Sequence, residues 1–114
     1  MSKFDDAIAT YENTLSDTLG IKDYDSDLLK SVAKGLGPSI YNTDSSKVSC
    51  GDDKELETVK NNFLVKKLGL DDREALMEAI KEVCEQMGSS NRNKYRAVFY
   101  YLLVKKFNKE SVYA

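Results

Sequence analysis

A run of eight uncharged residues near the C-terminal end, Ala97–Val104, most constrains how this chain folds. A helix that is apolar on all sides lies inside a protein, but a run this short is also compatible with a buried strand. A strand needs a partner, because its backbone N–H and C=O groups otherwise stay unpaired, and the sequence contains no second strand-like run. We therefore predict a buried C-terminal helix from Asn91 to Phe107, capped by Ser89 or Ser90.

Apolar residues at helical spacing predict two helices in the first part of the chain. The first covers residues 3–19 and ends at Gly20, because glycine readily adopts the conformation that closes a helix. The second runs from Asp27 to Lys34 and stops at the segment Gly35–Pro38, because glycine frees φ and proline cannot continue a helix. The polar stretch Ser39–Asp53 is predicted to be an ordered loop. Its predicted anchors are Ile40, Tyr41 and Val48.

Two acidic pairs have the spacing of a capping box and predict the start of two more helices. The pairs are Asp52 with Glu55, and Asp71 with Glu74. The third helix is predicted to end at Leu68 and the fourth before Gly88, and the short link between them makes a helical hairpin. The predicted fold class is all-α, a compact bundle of about five helices around the buried C-terminal helix.

Composition places the chain among globular proteins and predicts a single domain over residues 1–114. Hydrophobic residues make up 41% and charged residues 32% of the chain. No apolar run approaches the roughly 20 residues of a membrane span, and the N-terminal residues lack an export signal. We therefore expect a cytoplasmic protein with no membrane partner.

The absence of histidine excludes histidine-based acid/base catalysis and most zinc sites. The cysteines, Cys50 and Cys84, have neither metal-ligand nor redox-motif spacing, so we expect free thiols, with Cys84 a small core residue. No serine or carboxylate has an identifiable catalytic partner in the sequence. We predict no catalytic residue, metal or cofactor, and an enzyme would need groups that only folding brings together.

Alternating aspartates at Asp23, Asp25 and Asp27 resemble the first half of a calcium loop. The second half does not fit, because Leu28 stands where glycine makes the turn and Lys34 stands where a bidentate glutamate binds the ion. We therefore favour a capped helix start, where carboxylates meet the positive end of the helix dipole.

The segment from Val32 to Ser39 has the two glycines of a helix-hairpin-helix turn, in which backbone amides contact a phosphate. Lys34, Gly35 and Gly37 are therefore candidate phosphate contacts. The residues that follow do not match the second helix of that motif, and a helix stop is the favoured interpretation.

Charge is distributed unevenly along the chain. Residues 1–88 have a net charge of −7, whereas residues 89–114 have a net charge of +5. Arg92, Lys94 and Arg96 are therefore candidate contacts to a nucleic acid or a protein partner. Nucleic acid is the less favoured partner, because the pI of about 5.2 is unlike that of a dedicated nucleic-acid binder.

Tyrosine is abundant, with seven residues and no tryptophan. Tyr95, Tyr100 and Tyr101 follow one another too closely to all face inward on one helix, so one expectation is an exposed aromatic flank suited to a partner or to self-association. For any single tyrosine, packing against the core with the hydroxyl at the rim is the favoured interpretation.

Two segments, Gly88–Phe107 and Ala33–Asn42, resemble a family of small bacterial proteins known only as a domain of unknown function. The resemblance extends over nearly the whole chain. It implies a bacterial, cytosolic, helical protein that stands alone, and it implies no catalytic or binding residue.

The leading functional hypothesis is a non-enzymatic protein-interaction module or homo-oligomer. The alternative is phosphate or nucleic-acid binding through the Gly35–Gly37 turn and the basic ends of the last helix.

Overall fold

The computed structural model describes residues 3–41, 47–71, 74–88 and 94–113. These residues form five α-helices and no β-strand, which confirms the predicted all-α class. The helices are α1 Lys3–Asn13, α2 Ser26–Leu36, α3 Asp53–Thr58, α4 Glu74–Met87 and α5 Arg96–Lys106.

Two of the helices continue as π-helix, in which each amide donates to a carbonyl five residues back. α1 continues through Thr14–Thr18 and α3 through Val59–Val65. Gly20 and Gly69 then end the two helices with positive φ angles of 71° each. The first helix ends one residue before its predicted end, and the third ends at Val65, three residues before the predicted Leu68. The last turns of both are wider than an α-helix.

α2 begins earlier and ends later than predicted. The Asp25 carboxylate accepts a hydrogen bond of 3.1 Å from the Leu28 amide, which caps the helix one residue before Ser26. At the other end Gly35 lies inside the helix, and the stop falls at Gly37, whose φ is 63°. Glycine is needed there because an L side chain is strained at this backbone conformation.

Half of the predicted capping box of α3 is present. The Asp52 carboxylate caps the helix by accepting from the Lys54 amide at 3.0 Å. Glu55 does not complete the box, since its side chain contacts Arg96 of α5, and the Asp52 amide donates instead to the Ser49 carbonyl at 3.1 Å. The tertiary ion pair has replaced the local hydrogen bond. 

α5 begins at Arg96, later than predicted. Lys94 is not helical, and Tyr95 forms an isolated antiparallel bridge with Lys47, in which the Val48 amide donates to the Lys94 carbonyl at 2.8 Å. The predicted start at Asn91 and the predicted caps, Ser89 and Ser90, lie outside the described residues.

All eight residues from Ala97 to Val104 are buried, which confirms the buried C-terminal helix. α5 packs against α2 and α4, and α4 packs against α3 and its π-helical extension, as expected of the predicted hairpin. The core also contains the apolar faces of the flanking helices, among them Leu29, Val32, Leu56, Val59, Leu64, Ile80 and Val83.

The tyrosines of α5 are not an exposed flank. Tyr100 and Tyr101 are both buried, at 8% and 2% exposure, and Tyr95 precedes the helix and is only partly exposed. The expectation was wrong because α5 is covered on several sides, so adjacent residues can both face protein. In the loop, Ile40 and Val48 are buried anchors, but Tyr41 is 47% exposed.

Within the described residues, no helix is both long enough and apolar enough to cross a membrane.

Phe99→Ala is expected to lower the free energy of unfolding by about 3–5 kcal/mol, because the fully buried ring leaves a cavity in α5. Tyr41→Ala removes a similar ring from the surface and should change stability by no more than about 0.5 kcal/mol. Urea unfolding followed by circular dichroism measures both. Equal effects of the two substitutions would contradict the central position of α5.

Gly37→Ala is expected to cost about 1–3 kcal/mol, because alanine is strained at positive φ even though nothing lies within 4 Å of the added Cβ. Gly51→Ala is the matched control, since its Cβ also meets open space and its φ is not positive. The control should change stability by about 0.5 kcal/mol or less in the same urea titration. A Gly37 variant as stable as this control would show that the helix stop does not depend on glycine.

Candidate functional site

Aromatic rings from three parts of the chain meet in a cleft of about 230 Å³, here called the aromatic cleft. α2 contributes the end of its last turn, and α3 contributes its π-helical extension and the turn after it. α5 contributes one tyrosine, and the C-terminal 3-10 turn, Glu110–Tyr113, contributes another. The lining residues are Gly35, Leu36, Asn62, Phe63, Lys67, Tyr100 and Tyr113.

The walls of the aromatic cleft are flat and one of them bears a cation. The rings of Phe63 and Tyr100 stack with centroids 3.9 Å apart and an angle of 17° between their planes. Lys67 Nζ lies 5.1 Å from the centroid of the Tyr113 ring, within the range of a cation–π interaction. Gly35 leaves room beside this ring, because a Cβ at that position would lie 3.6 Å from Tyr113 Cε1. The cleft is therefore shaped for an apolar group with a negative charge near it.

Arg96 supports the cleft from behind through the Tyr100 hydroxyl. The guanidinium Nη1 donates to that hydroxyl at 3.2 Å, while Nη2 donates to the Lys47 carbonyl at 3.3 Å and pairs with the Glu55 carboxylate. Only 13% of the Arg96 side chain is exposed. This arginine therefore connects α5 to α3 and to the loop before α3.

Burial governs the protonation of the groups around the cleft. Burial raises the pKa of Tyr113 to about 12, and the neighbouring Tyr100 adds to the shift. Burial also raises the pKa of Tyr100, although the Arg96 guanidinium acts in the opposite direction. Burial acts to lower the pKa of Arg96, but hydrogen bonds to Glu55 and Tyr100 outweigh it and the net shift is upward. At neutral pH the cleft therefore presents protonated tyrosines and a charged arginine.

The predicted site residues on α2 fall at or beside the cleft. Gly35 lines it, and Lys34 is exposed one position earlier. Gly37 caps the helix, and its amide donates to the Lys34 carbonyl.

Of the predicted site residues of the last segment, the structure describes Lys94 and Arg96, and neither of them lines the aromatic cleft beside Gly35. Arg96 lies behind the cleft wall, Lys94 is only 8% exposed and lines a different cavity, and Arg92 lies outside the described residues. At the other end of α5, Lys105 lies 3.8 Å from Glu110. Lys106 pairs with Glu82 at 2.5 Å.

Cys50 and Cys84 form a disulfide with a Cα–Cα distance of 6.0 Å, so the expectation of free thiols was wrong. The two positions are 34 residues apart in sequence, and no local spacing indicates the pair. Folding brings them together because the turn before α3 packs against α4. Cys84 is buried as predicted, at 8% exposure.

The aspartates that resembled a calcium loop form a capped helix start. Asp25 caps α2 with its carboxylate, and its amide donates to the Tyr101 hydroxyl at 2.8 Å. In the part of the chain that the structure describes, no group of three or more metal-binding side chains could hold an ion.

Sequence reasoning missed four residues of the aromatic cleft: Asn62, Phe63, Lys67 and Tyr113. Phe63 lies on the buried face of the π-helical extension of α3, and its helical spacing gives no sign that one edge of the ring borders a cleft. Tyr113 belongs to a short turn without periodicity, and its contact with α2 depends on the path of the chain after α5.

The fold and the cleft define a small all-α protein built around a buried C-terminal helix, with an aromatic cleft of about 230 Å³ at its side. The chain belongs to the family described as Protein of unknown function (DUF2853), whose model matches residues 10–111. No curated protein matches the chain.

Tyr113→Phe is expected to make the protein more resistant to alkali. Tyr113 has a pKa of about 12 in the folded protein and an ordinary value of 10.0, so its contribution to stability is complete below pH 10 and is lost as the pH rises from 10 to 12. The free energy of unfolding of the variant should therefore fall less steeply than that of the wild type in this interval. Urea titrations at about pH 8, 9, 10, 11 and 12 measure the slope, and the difference between the two proteins should be constant between about pH 8 and 9. A parallel decline above pH 10 would contradict the burial of this hydroxyl.

Proposed function

We propose that the chain is a non-enzymatic protein-interaction module whose aromatic cleft binds an acidic segment of a protein partner. The observation that carries the proposal is the cleft itself, with stacked rings of Phe63 and Tyr100, the Tyr113 ring and the cation of Lys67 around one opening. Aromatic side chains are enriched at protein interfaces and contribute much of the binding energy there.

The size of the cleft favours a side chain of a partner over a small-molecule ligand. Its volume of about 230 Å³ is below the range of roughly 300–1,000 Å³ that is typical of small-molecule sites. One apolar side chain fills such a space, and the neighbouring residues of the partner then lie along the rim.

The charge at the rim favours an acidic segment. Lys67 lines the opening, and Lys34 is exposed beside Gly35. A carboxylate next to the apolar anchor would meet Lys67, which favours the correct partner and speeds its association.

The protonation of the cleft favours binding over catalysis. A general acid or base works best with a pKa near the operating pH. Burial moves the pKa of Tyr113 to about 12, away from neutrality, and raises that of Tyr100 as well. These tyrosines are suited to stacking and to donating hydrogen bonds. A cytoplasmic location and a bacterial origin belong to the same proposal.

Phosphate or nucleic-acid binding is the second candidate, supported by the exposure of Lys34 and Gly35. Two observations make it weaker. The Gly37 amide is used inside the helix cap, and the Arg96 guanidinium pairs with Glu55, so neither is arranged to meet a phosphate.

The test is selection from a displayed random peptide library, followed by affinity measurement with fluorescent peptides. We expect enriched peptides to carry an aromatic or aliphatic residue beside at least one carboxylate. Lys67→Glu should weaken their binding about tenfold or more, because it reverses the charge at the rim. Lys81→Glu makes the same change at an exposed position of α4 and should leave the affinity unchanged.

Gly35→Ala separates loss of the cleft from loss of the fold. The added methyl group contacts the Tyr113 ring and narrows the cleft, while alanine stabilises a helix interior by roughly 0.5–1 kcal/mol relative to glycine. We expect weaker peptide binding with an unchanged or higher melting temperature. The proposal is wrong if no peptide class is enriched, or if Lys67→Glu and Gly35→Ala bind the peptides as the wild type does.

Two further measurements distinguish the competing occupants. If light scattering detects a dimer that Lys67→Glu disrupts, the occupant of the cleft is a second copy of the chain and not an acidic peptide. Binding of an oligonucleotide that weakens steeply with salt and with Lys34→Glu would favour the second candidate. Either result, without peptide binding, would overturn the proposal.

A further inference from the structure

The Cys50–Cys84 disulfide lies in the wall of a cavity that is separate from the aromatic cleft. The cavity has a volume of about 310 Å³ and is lined by the two cysteines together with Gly51, Glu85 and Lys94. Cys50 is partly exposed, whereas Cys84 is 8% exposed. A reagent that enters the cavity therefore reaches Cys50 more easily than Cys84.

Two charged residues of opposite sign share this cavity with the disulfide. Lys94 is only 8% exposed, whereas Glu85 is exposed to solvent. Solvent and salt screen an exposed charge more strongly than a buried one, so Glu85 is screened more strongly than Lys94. A cation near a cysteine stabilises its thiolate, and a stabilised thiolate is a better leaving group when a disulfide is opened.

We propose that Cys50–Cys84 is a thiol–disulfide exchange site for low-molecular-weight thiols and dithiols, with Lys94 as its positioning residue. This inference is independent of the function proposed for the aromatic cleft.

The exchange has two steps when the reagent is a dithiol. Its first thiolate attacks Cys50 Sγ, the bond between Cys50 and Cys84 breaks, and Cys84 leaves as a thiolate while Cys50 holds the reagent as a mixed disulfide. The second thiol loses its proton to water and attacks the reagent sulfur of that mixed disulfide, so Cys50 leaves as a thiolate. The dithiol is oxidised to a disulfide, the protein takes up two electrons, and the cysteines take up protons from water when they are protonated.

Opening the bond would release the turn before α3 from α4. Among the described residues, two backbone hydrogen bonds lie beside it: the Val48 amide donates to the Lys94 carbonyl at 2.8 Å, and the Asp52 amide donates to the Ser49 carbonyl at 3.1 Å. The reaction therefore changes the attachment of this turn to the rest of the fold without requiring the core to open.

The rate of reduction of the native protein tests the proposal. The oxidised protein is mixed with dithiothreitol at neutral pH without denaturant, samples are quenched with maleimide, and the labelled cysteines are counted by mass spectrometry. We expect the rate to rise in proportion to dithiothreitol concentration and to exceed the rate of global unfolding, which is measured separately in urea. A rate that levels off at the unfolding rate would show a purely structural disulfide and overturn the proposal. Failure of the two cysteines to pair after treatment with glutathione disulfide would overturn it as well.

Lys94→Met tests the positioning residue while retaining a side chain of similar length. We expect reduction to become about fivefold to tenfold slower, because the departing thiolate loses its nearby cation. Lys30→Met, which removes an exposed lysine of α2 outside this cavity, should leave the rate unchanged. The unfolding rate of each variant is measured in parallel, so that a destabilised variant is recognised. Equal reduction rates for Lys94→Met and the wild type would overturn the role of this residue.

Single-cysteine variants test the order of attack. With glutathione disulfide as the reagent, Cys84→Ser should form a mixed disulfide at Cys50 about tenfold or more faster than Cys50→Ser forms one at Cys84, because reaction rates follow access to the sulfur. Faster reaction at Cys84 would contradict the proposed path through the cavity.

Discussion

The burial of α5 is the constraint on which the rest of the structure depends. A helix with eight successive buried residues has no polar side to turn towards water, so other elements must cover it. α2 and α4 pack directly against it, and α3 reaches the same core through its π-helical extension. The remaining helices keep polar faces because each needs to cover only part of α5.

Arg96, the first residue of α5, places a charge where the buried helix begins, and that charge must be paired. Arg96 has a largely buried side chain, and a buried charge must be paired and hydrogen-bonded to be tolerated. Glu55, Tyr100 and the Lys47 carbonyl satisfy the guanidinium together. This requirement explains why Glu55 leaves the capping box of α3. A charge-assisted hydrogen bond with little solvent around it is stronger than a cap at an exposed helix end.

Local sequence patterns predicted the helices. Contacts between distant segments determined the ion pair, the disulfide and the cleft, which no local pattern indicates. The buried residues of α3 and α4 follow helical periodicity, because each helix buries a face set by its own sequence. Two polar features depended on partners from distant segments: the pairing of Glu55 with Arg96, and the disulfide between Cys50 and Cys84. The aromatic cleft had the same origin, because only the folded chain brings Tyr113 beside Gly35. Of the candidate contact residues in the last segment, Arg96 pairs with Glu55 within the chain.

The two sites converge on the start of α5. Lys94 lines the disulfide cavity, Tyr100 lines the aromatic cleft, and Arg96 lies between them in sequence. The guanidinium of Arg96 donates both to the Tyr100 hydroxyl and to the Lys47 carbonyl, which belongs to the segment that leads to Cys50. A change in the position of the Tyr100 hydroxyl therefore disturbs the same guanidinium that contacts this segment. The last helix is therefore connected to the aromatic cleft and to the segment before Cys50 by one side chain, Arg96, and not by its positive charge as a whole.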